Sequence, residues 1–169
     1  PNIIKTIPKS GSYLRLNQTN ISLEIFLDEP ATCRYSTTPN TIFNSMTNNM
    51  ICNQNQLDSP FIDRKCNSII NNLNQDENNI YIRCKNLAGL INTEDYIFTI
   101  YSTKEPLVIT SLSPENGTTR KTEISKEKPL VLSATTKGGV ENGKAICRYK
   151  FRETFWRDQF TETNSTIHS

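Results

Sequence analysis

Histidine and tryptophan each occur once in this chain of 169 residues, as His168 and Trp156, and methionine only twice. No CxxC pair is present, and no run approaches the roughly 20 apolar residues that cross a bilayer. The opening residues, Pro1 to Lys5, lack the apolar core of a secretion signal. Each shortage excludes something. One histidine leaves serine or cysteine nucleophiles almost without a candidate base. A closed zinc site needs clustered Cys or His ligands at short spacing. No catalytic residue, metal or cofactor is therefore expected, and no membrane contact within this chain. The 19 basic and 17 acidic residues are interspersed and sum to +2, which gives no field for nucleic acid.

What is there points to strands. The hydrophobic share is 35%, and Asn, Ser and Thr crowd the chain, as two-faced strands joined by polar turns require. Residues 21, 23, 25 and 27 are apolar, with Ser22 and Glu24 between them. Ala31, Cys33 and Tyr35 alternate with Thr32, Arg34 and Ser36 after a turn at Asp28, Glu29 and Pro30. Ile80, Ile82 and Cys84 alternate likewise, and a further strand is predicted over 95–101. Residues 40–79 have little periodicity and read as an insertion, with a short helical turn within 62–73.

Four of the five cysteines fall in the first 103 residues, an even number that allows three pairings. The nested one is expected, Cys33 with Cys84 from inward strand positions and Cys52 with Cys66 tying down the insertion. It requires an oxidising compartment, whereas the competing reading packs these cysteines reduced in the core. Asn-x-Ser/Thr sites at Asn17, Asn20, Asn116 and Asn164 are consistent with export.

The opening recurs. Pro8 and Gly11 fall on Pro114 and Gly117 at an offset of 106, and Cys33-Arg-Tyr35 falls on Cys147-Arg-Tyr149 at an offset of 114. A longer turn over 137–143, with Asn142 and Gly143 at its tip, absorbs the difference. Two copies of one module are predicted, 1–103 with its insertion at 40–79, and 104–169 as the first part of a second. The fold class expected is all-β, tandem β-sandwich modules, the second incomplete. On the offset of the first copy, the partner of Cys147 falls at position 198, beyond this chain; the alternative is a crosslink to a neighbouring chain.

Two groupings of charge have plain structural readings. Asp28 with Glu29, and Asp76 with Glu77, could contribute to a Ca²⁺ site but read as turn residues at strand ends. Over 144–157, Lys144, Arg148, Lys150, Arg152 and Arg157 interleave with Tyr149, Phe151, Phe155 and Trp156. Arg148, Lys150 and Arg152 lie at a period of two, which suits the solvent face of a strand better than a stacking site, with Trp156 left as an exposed platform for a sugar.

The turn at 28–30 followed by Cys33-Arg-Tyr-Ser36, with the later Tyr81-Ile-Arg-Cys84 strand and the Asn86 to Gly89 loop, resembles the immunoglobulin-like or fibronectin-type-III-like repeats of large prokaryotic, especially archaeal, surface proteins. The resemblance covers about the first 100 residues and then the first half of the second copy. It implies an extracellular structural or adhesion module mediating protein or cell attachment, rather than an enzyme. Expected partners are neighbouring modules or subunits and a surface protein or glycan. Two alternatives are a filament or sheath subunit assembled by strand addition, and a carbohydrate-binding appendage of a secreted enzyme.

Overall fold

A computed structural model describes residues 1–53, 64–115, 131–149, 158–160 and 164–168. The chain divides into two compact units, Pro1–Ser102 and Thr103–Ser169. Among the described residues the regular structure is all-β apart from two short 3-10 turns. No helix of the described residues is long and apolar enough to cross a membrane.

The described residues of the first unit form nine strands: β1 (Ile3–Ile7), β2 (Ser12–Tyr13), β3 (Ile21–Leu27), β4 (Ala31–Ser36), β5 (Asn48–Asn49), β6 (Ile51–Cys52), β7 (Lys65–Ile70), β8 (Glu77–Asn86) and β9 (Tyr96–Tyr101). They form a four-stranded sheet, β1-β3-β7-β6, and a five-stranded sheet, β2-β9-β8-β4-β5. Pairing is antiparallel except for β2, which runs parallel to β9. Alternation makes the core. Leu23, Ile25 and Leu27 of β3 are buried with Cys33 of β4, Ile80, Ile82 and Cys84 of β8, and Phe98 and Ile100 of β9, in one cluster shared by both sheets. The arrangement is β-sandwich-like, and those nine side chains are each less than 5% exposed.

Residues 40–79, expected as an insertion, carry β5, β6 and β7, of which β5 forms an edge of one sheet and β6 an edge of the other. β5 pairs with β4, the chain crosses at Met50, and β6 then pairs with β7 in the other sheet. The N–H of the buried Met50 donates to the carbonyl of Cys33 at 3.0 Å, which fixes the crossing point. The helical turn expected within 62–73 is replaced by β7; the only 3-10 turn described in the first unit is Phe43–Ser45.

The second unit contains β10 (Val108–Ser113), β11 (Ser133–Lys137), β12 (Arg148–Tyr149), β13 (Asp158–Gln159) and β14 (Ile167–His168). β10, β11 and β14 form one sheet, and β12 with β13 another. After β11 a 3-10 turn, Val140–Gly143, returns the chain; Gly143 has φ 96°, and a Cβ there would lie 2.7 Å from the Cα of Lys137. Every residue of β10 is exposed, Ile109 at 58% and Leu112 at 50%.

Candidate functional site

The strand pairings decide which sulfurs meet. Cys33 and Cys84 stand opposite each other on β4 and β8, and Cys52 and Cys66 on β6 and β7. Their Cα atoms are 4.1 and 3.9 Å apart, and both pairs are disulfide-bonded. Each bridge therefore joins neighbouring strands of one sheet. The Met50 crossing brings the two bridges together: the sulfurs of Cys33, Cys52 and Cys66 lie within 4.8 Å of one another. Cys33, Cys66 and Cys84 are each no more than 1% exposed. Spacing alone did not show this grouping, because it depends on where the chain changes sheets. With all three engaged in bridges, these sulfurs offer no thiolate to a metal.

Cys147, the residue before β12, has no disulfide and is half-buried. Burial raises its thiol pKa above the ordinary value, so the neutral thiol is favoured. It lines an open groove of about 700 Å³ in the second unit, together with Ile109, Leu112, Ala134, Tyr149 and Phe160. The ring of Phe160 meets Tyr149 edge-on at 5.5 Å and His168 at 6.2 Å. His168 is completely buried. Its Nε2 lies 3.1 Å from Thr136 Oγ1. That hydroxyl donates its one proton to the carbonyl of Gly143 at 2.6 Å, so Nε2–H is the donor to Thr136.

The acidic pairs are engaged at strand ends. Asp28 accepts from the Asn2 backbone N–H at 2.6 Å and its side-chain amide at 2.8 Å, and these bonds lower its carboxyl pKa. Glu29 meets the Pro1 amino group at 2.7 Å and the Asn86 amide at 3.1 Å, which lower its pKa in turn. Glu77 accepts from Asn79 at 2.9 Å, and the carbonyl of Asp76 accepts from the Ser102 N–H at 3.0 Å.

A polar cleft of about 670 Å³ opens at one end of the first unit, where β4, β5 and the link from β7 to β8 converge. Tyr35, Tyr81, Asn48, Asn71, Asn72 and Gln75 line it. The buried Asn78 shapes its floor, donating to the carbonyls of Gln75 at 2.8 Å and Ile100 at 3.3 Å and accepting from the Gln75 N–H at 3.1 Å. The amides that read as an unpatterned loop in sequence thus share one concave surface.

Asn17, Asn20 and Asn164 are exposed, and Asn17 and Asn164 adopt φ of 62° and 56°. Asn116 lies outside the described residues, as do Lys150, Phe151, Arg152, Phe155, Trp156 and Arg157 of the basic and aromatic stretch. Within that stretch, Arg148 is exposed and Tyr149 partly buried, the alternation of a strand. No family model, curated protein or solved structure matches this chain.

Proposed function

We propose that the chain comprises tandem immunoglobulin-like modules of an extracellular structural or adhesion protein, which holds neighbouring modules, subunits or a surface ligand. The observation that carries the reading is a shared local geometry in the two units. β1 and β3 pair with a bulge between Ile3 and Lys5; β10 and β11 pair with a bulge between Ile109 and Ser111, the same place at the offset of 106. The β4–β5 pairing of Arg34 with Asn49 has its counterpart in Arg148 with Gln159. Met50 N–H to Cys33 carbonyl has its counterpart in Phe160 N–H to Cys147 carbonyl at 3.2 Å. A bulge, a register and a crossing bond recurring together are features of one module used twice.

The strand order supports the immunoglobulin-like assignment. β1-β3-β7-β6 follows the A-B-E-D order, and β9-β8-β4 the G-F-C order, with β2 and β5 as flanking strands. One departure is clear: the antibody-type bridge joins the two sheets, whereas here each bridge lies within a sheet. Two disulfide bridges are the reason for placing the protein in an oxidising compartment. The amide and tyrosine cleft favours a second reading, a carbohydrate-binding surface on the same module, because amides hydrogen-bond hydroxyls and a tyrosine face packs on a sugar ring.

A non-reducing peptide map of native material, combined with impermeant labelling of intact cells, tests the proposal. The expected result is Cys33 joined to Cys84, Cys52 joined to Cys66, surface labelling, and glycan mass on some of the exposed asparagines. Five free thiols and no label on intact cells would sink the extracellular role. Retention of the chain on immobilised oligosaccharides, lost with Asn71→Ala and Tyr81→Ala, would favour the carbohydrate reading.

A further inference from the structure

The apolar groove of the second unit lies where the first unit has its core. At the correspondence set by the two bulges, Leu23, Ile25 and Leu27 become Leu132, Ala134 and Thr136. Cys33, Tyr35 and Met50 become Cys147, Tyr149 and Phe160. All six counterparts line the groove. In the first unit these positions are sealed by Ile80, Ile82 and Cys84 of β8 and Phe98 and Ile100 of β9. Among the described residues of the second unit, no strand occupies the place of β8 or β9.

β14 fixes how far the second copy has advanced. It pairs with β11 as Ala134 with His168 and Thr135 with Ile167, where the first unit pairs Ile25 with Cys66 and Phe26 with Lys65. His168 therefore stands at the position of Cys66. Eight residues separate it from Phe160, against sixteen between Met50 and Cys66, so the second copy shortens the segment that forms β6 in the first. At that position the buried His168 bonds Thr136, the counterpart of Leu27.

The geometry points to a specific occupant: a two-stranded hairpin of the β8–β9 kind, carried by polypeptide continuing from Ser169, which closes the groove and presents an inward cysteine opposite Cys147. The inference rests on the tandem-module reading. A second copy of this chain is disfavoured as the source, because its own β8 cysteine is already bonded to Cys33 and buried. Cys84 follows Cys66 by 18 residues, so the register places the new cysteine about 18 residues past His168, rather than at the position 198 that a constant offset from Cys33 gives. The bond forms by two exchanges with a small-molecule disulfide such as oxidised glutathione. One thiolate displaces a reduced glutathione to give a mixed disulfide, and the facing thiolate displaces the second glutathione and closes the bridge.

The test is a chimera of this chain, running to His168 and followed directly by a copy of its own residues 67–102, folded in a glutathione redox buffer. Titration of thiols in denaturant then counts free cysteines, and a peptide map names the bonds. Hydrogen exchange across β10 and β11 is measured on the parent chain. Zero free thiols, with Cys147 joined to the grafted copy of Cys84, is the expected result, against one in the parent. Two free thiols with the β10–β11 ladder protected in the parent would overturn the occupant and leave the tandem modules standing. Two free thiols with that ladder exchanging as fast as an unfolded chain would overturn both. A graft that protects the ladder further but pairs its cysteine elsewhere overturns the proposed bridge.

Discussion

Asp28 ties the turn before β4 to the start of β1 through a carboxylate that accepts two bonds from Asn2. The backbone bond from Asn2 is the largest cause of its lowered pKa. A folded-state pKa below the ordinary 3.8 contributes stability that is present above that value and lost as pH falls through the folded one. Exposed to solvent, the contribution is worth about 0.5 kcal/mol. Asp28→Asn is expected to lower stability slightly at pH 7 and to flatten the loss as pH falls through and below 3.8, measured by urea unfolding along the pH series. An unchanged acid slope would show that the carboxylate is already as well solvated when unfolded. At this scale sequence was a fair guide: the inward alternation of Leu23, Ile25, Ile80, Ile82 and Cys84 was plain, and all five are buried. The burial of His168 was not, because only the β11–β14 pairing and the hydroxyl of Thr136 give the imidazole its site.

The elements divide by how well their side chains show their faces. β3, β4 and β8 alternate and were legible, and β9 was legible as a strand although its sequence does not alternate. β7 was not, since Cys66 and Ile70 are its buried residues and the polar Ser68 stands between them, a spacing of four that imitates a helical turn. β5 and β6 have two residues each, too few to show any period, and pairing with β4 and β7 creates them. The site was less legible than the fold, for the same reason: the sulfur grouping and the amide cleft both depend on the crossing at Met50. The two bridges should differ in effect. Loops of 14 and 51 residues predict about 3 and 4 kcal/mol in the chain-entropy model. Replacing Cys33 and Cys84 by alanine is therefore expected to destabilise the first unit by roughly 1 kcal/mol more than replacing Cys52 and Cys66. Chemical denaturation of both double variants measures the difference, and equal losses would mean that packing at the sulfurs outweighs the chain entropy removed.

At the scale of the whole molecule the two units are unequal. The first has two bridges and a closed core fed by both sheets, while the second exposes every residue of β10 and keeps its apolar groove open. Small all-β units depend on burying both inner faces, and an open face leaves hydrogen bonds of the ladder accessible to solvent exchange. Calorimetry of the intact chain is therefore expected to show two transitions, the second unit melting first, with amides of β10 and β11 exchanging well before those of β3 and β8. A fragment ending at Ser102 should keep the upper transition within about 2 °C, because its core draws on no residue past Tyr101. A single transition that collapses when the chain is cut there would mean that the units stabilise each other. Closing the groove, by contrast, should raise the lower transition alone, which separates the completion of the second module from any general stiffening of the chain.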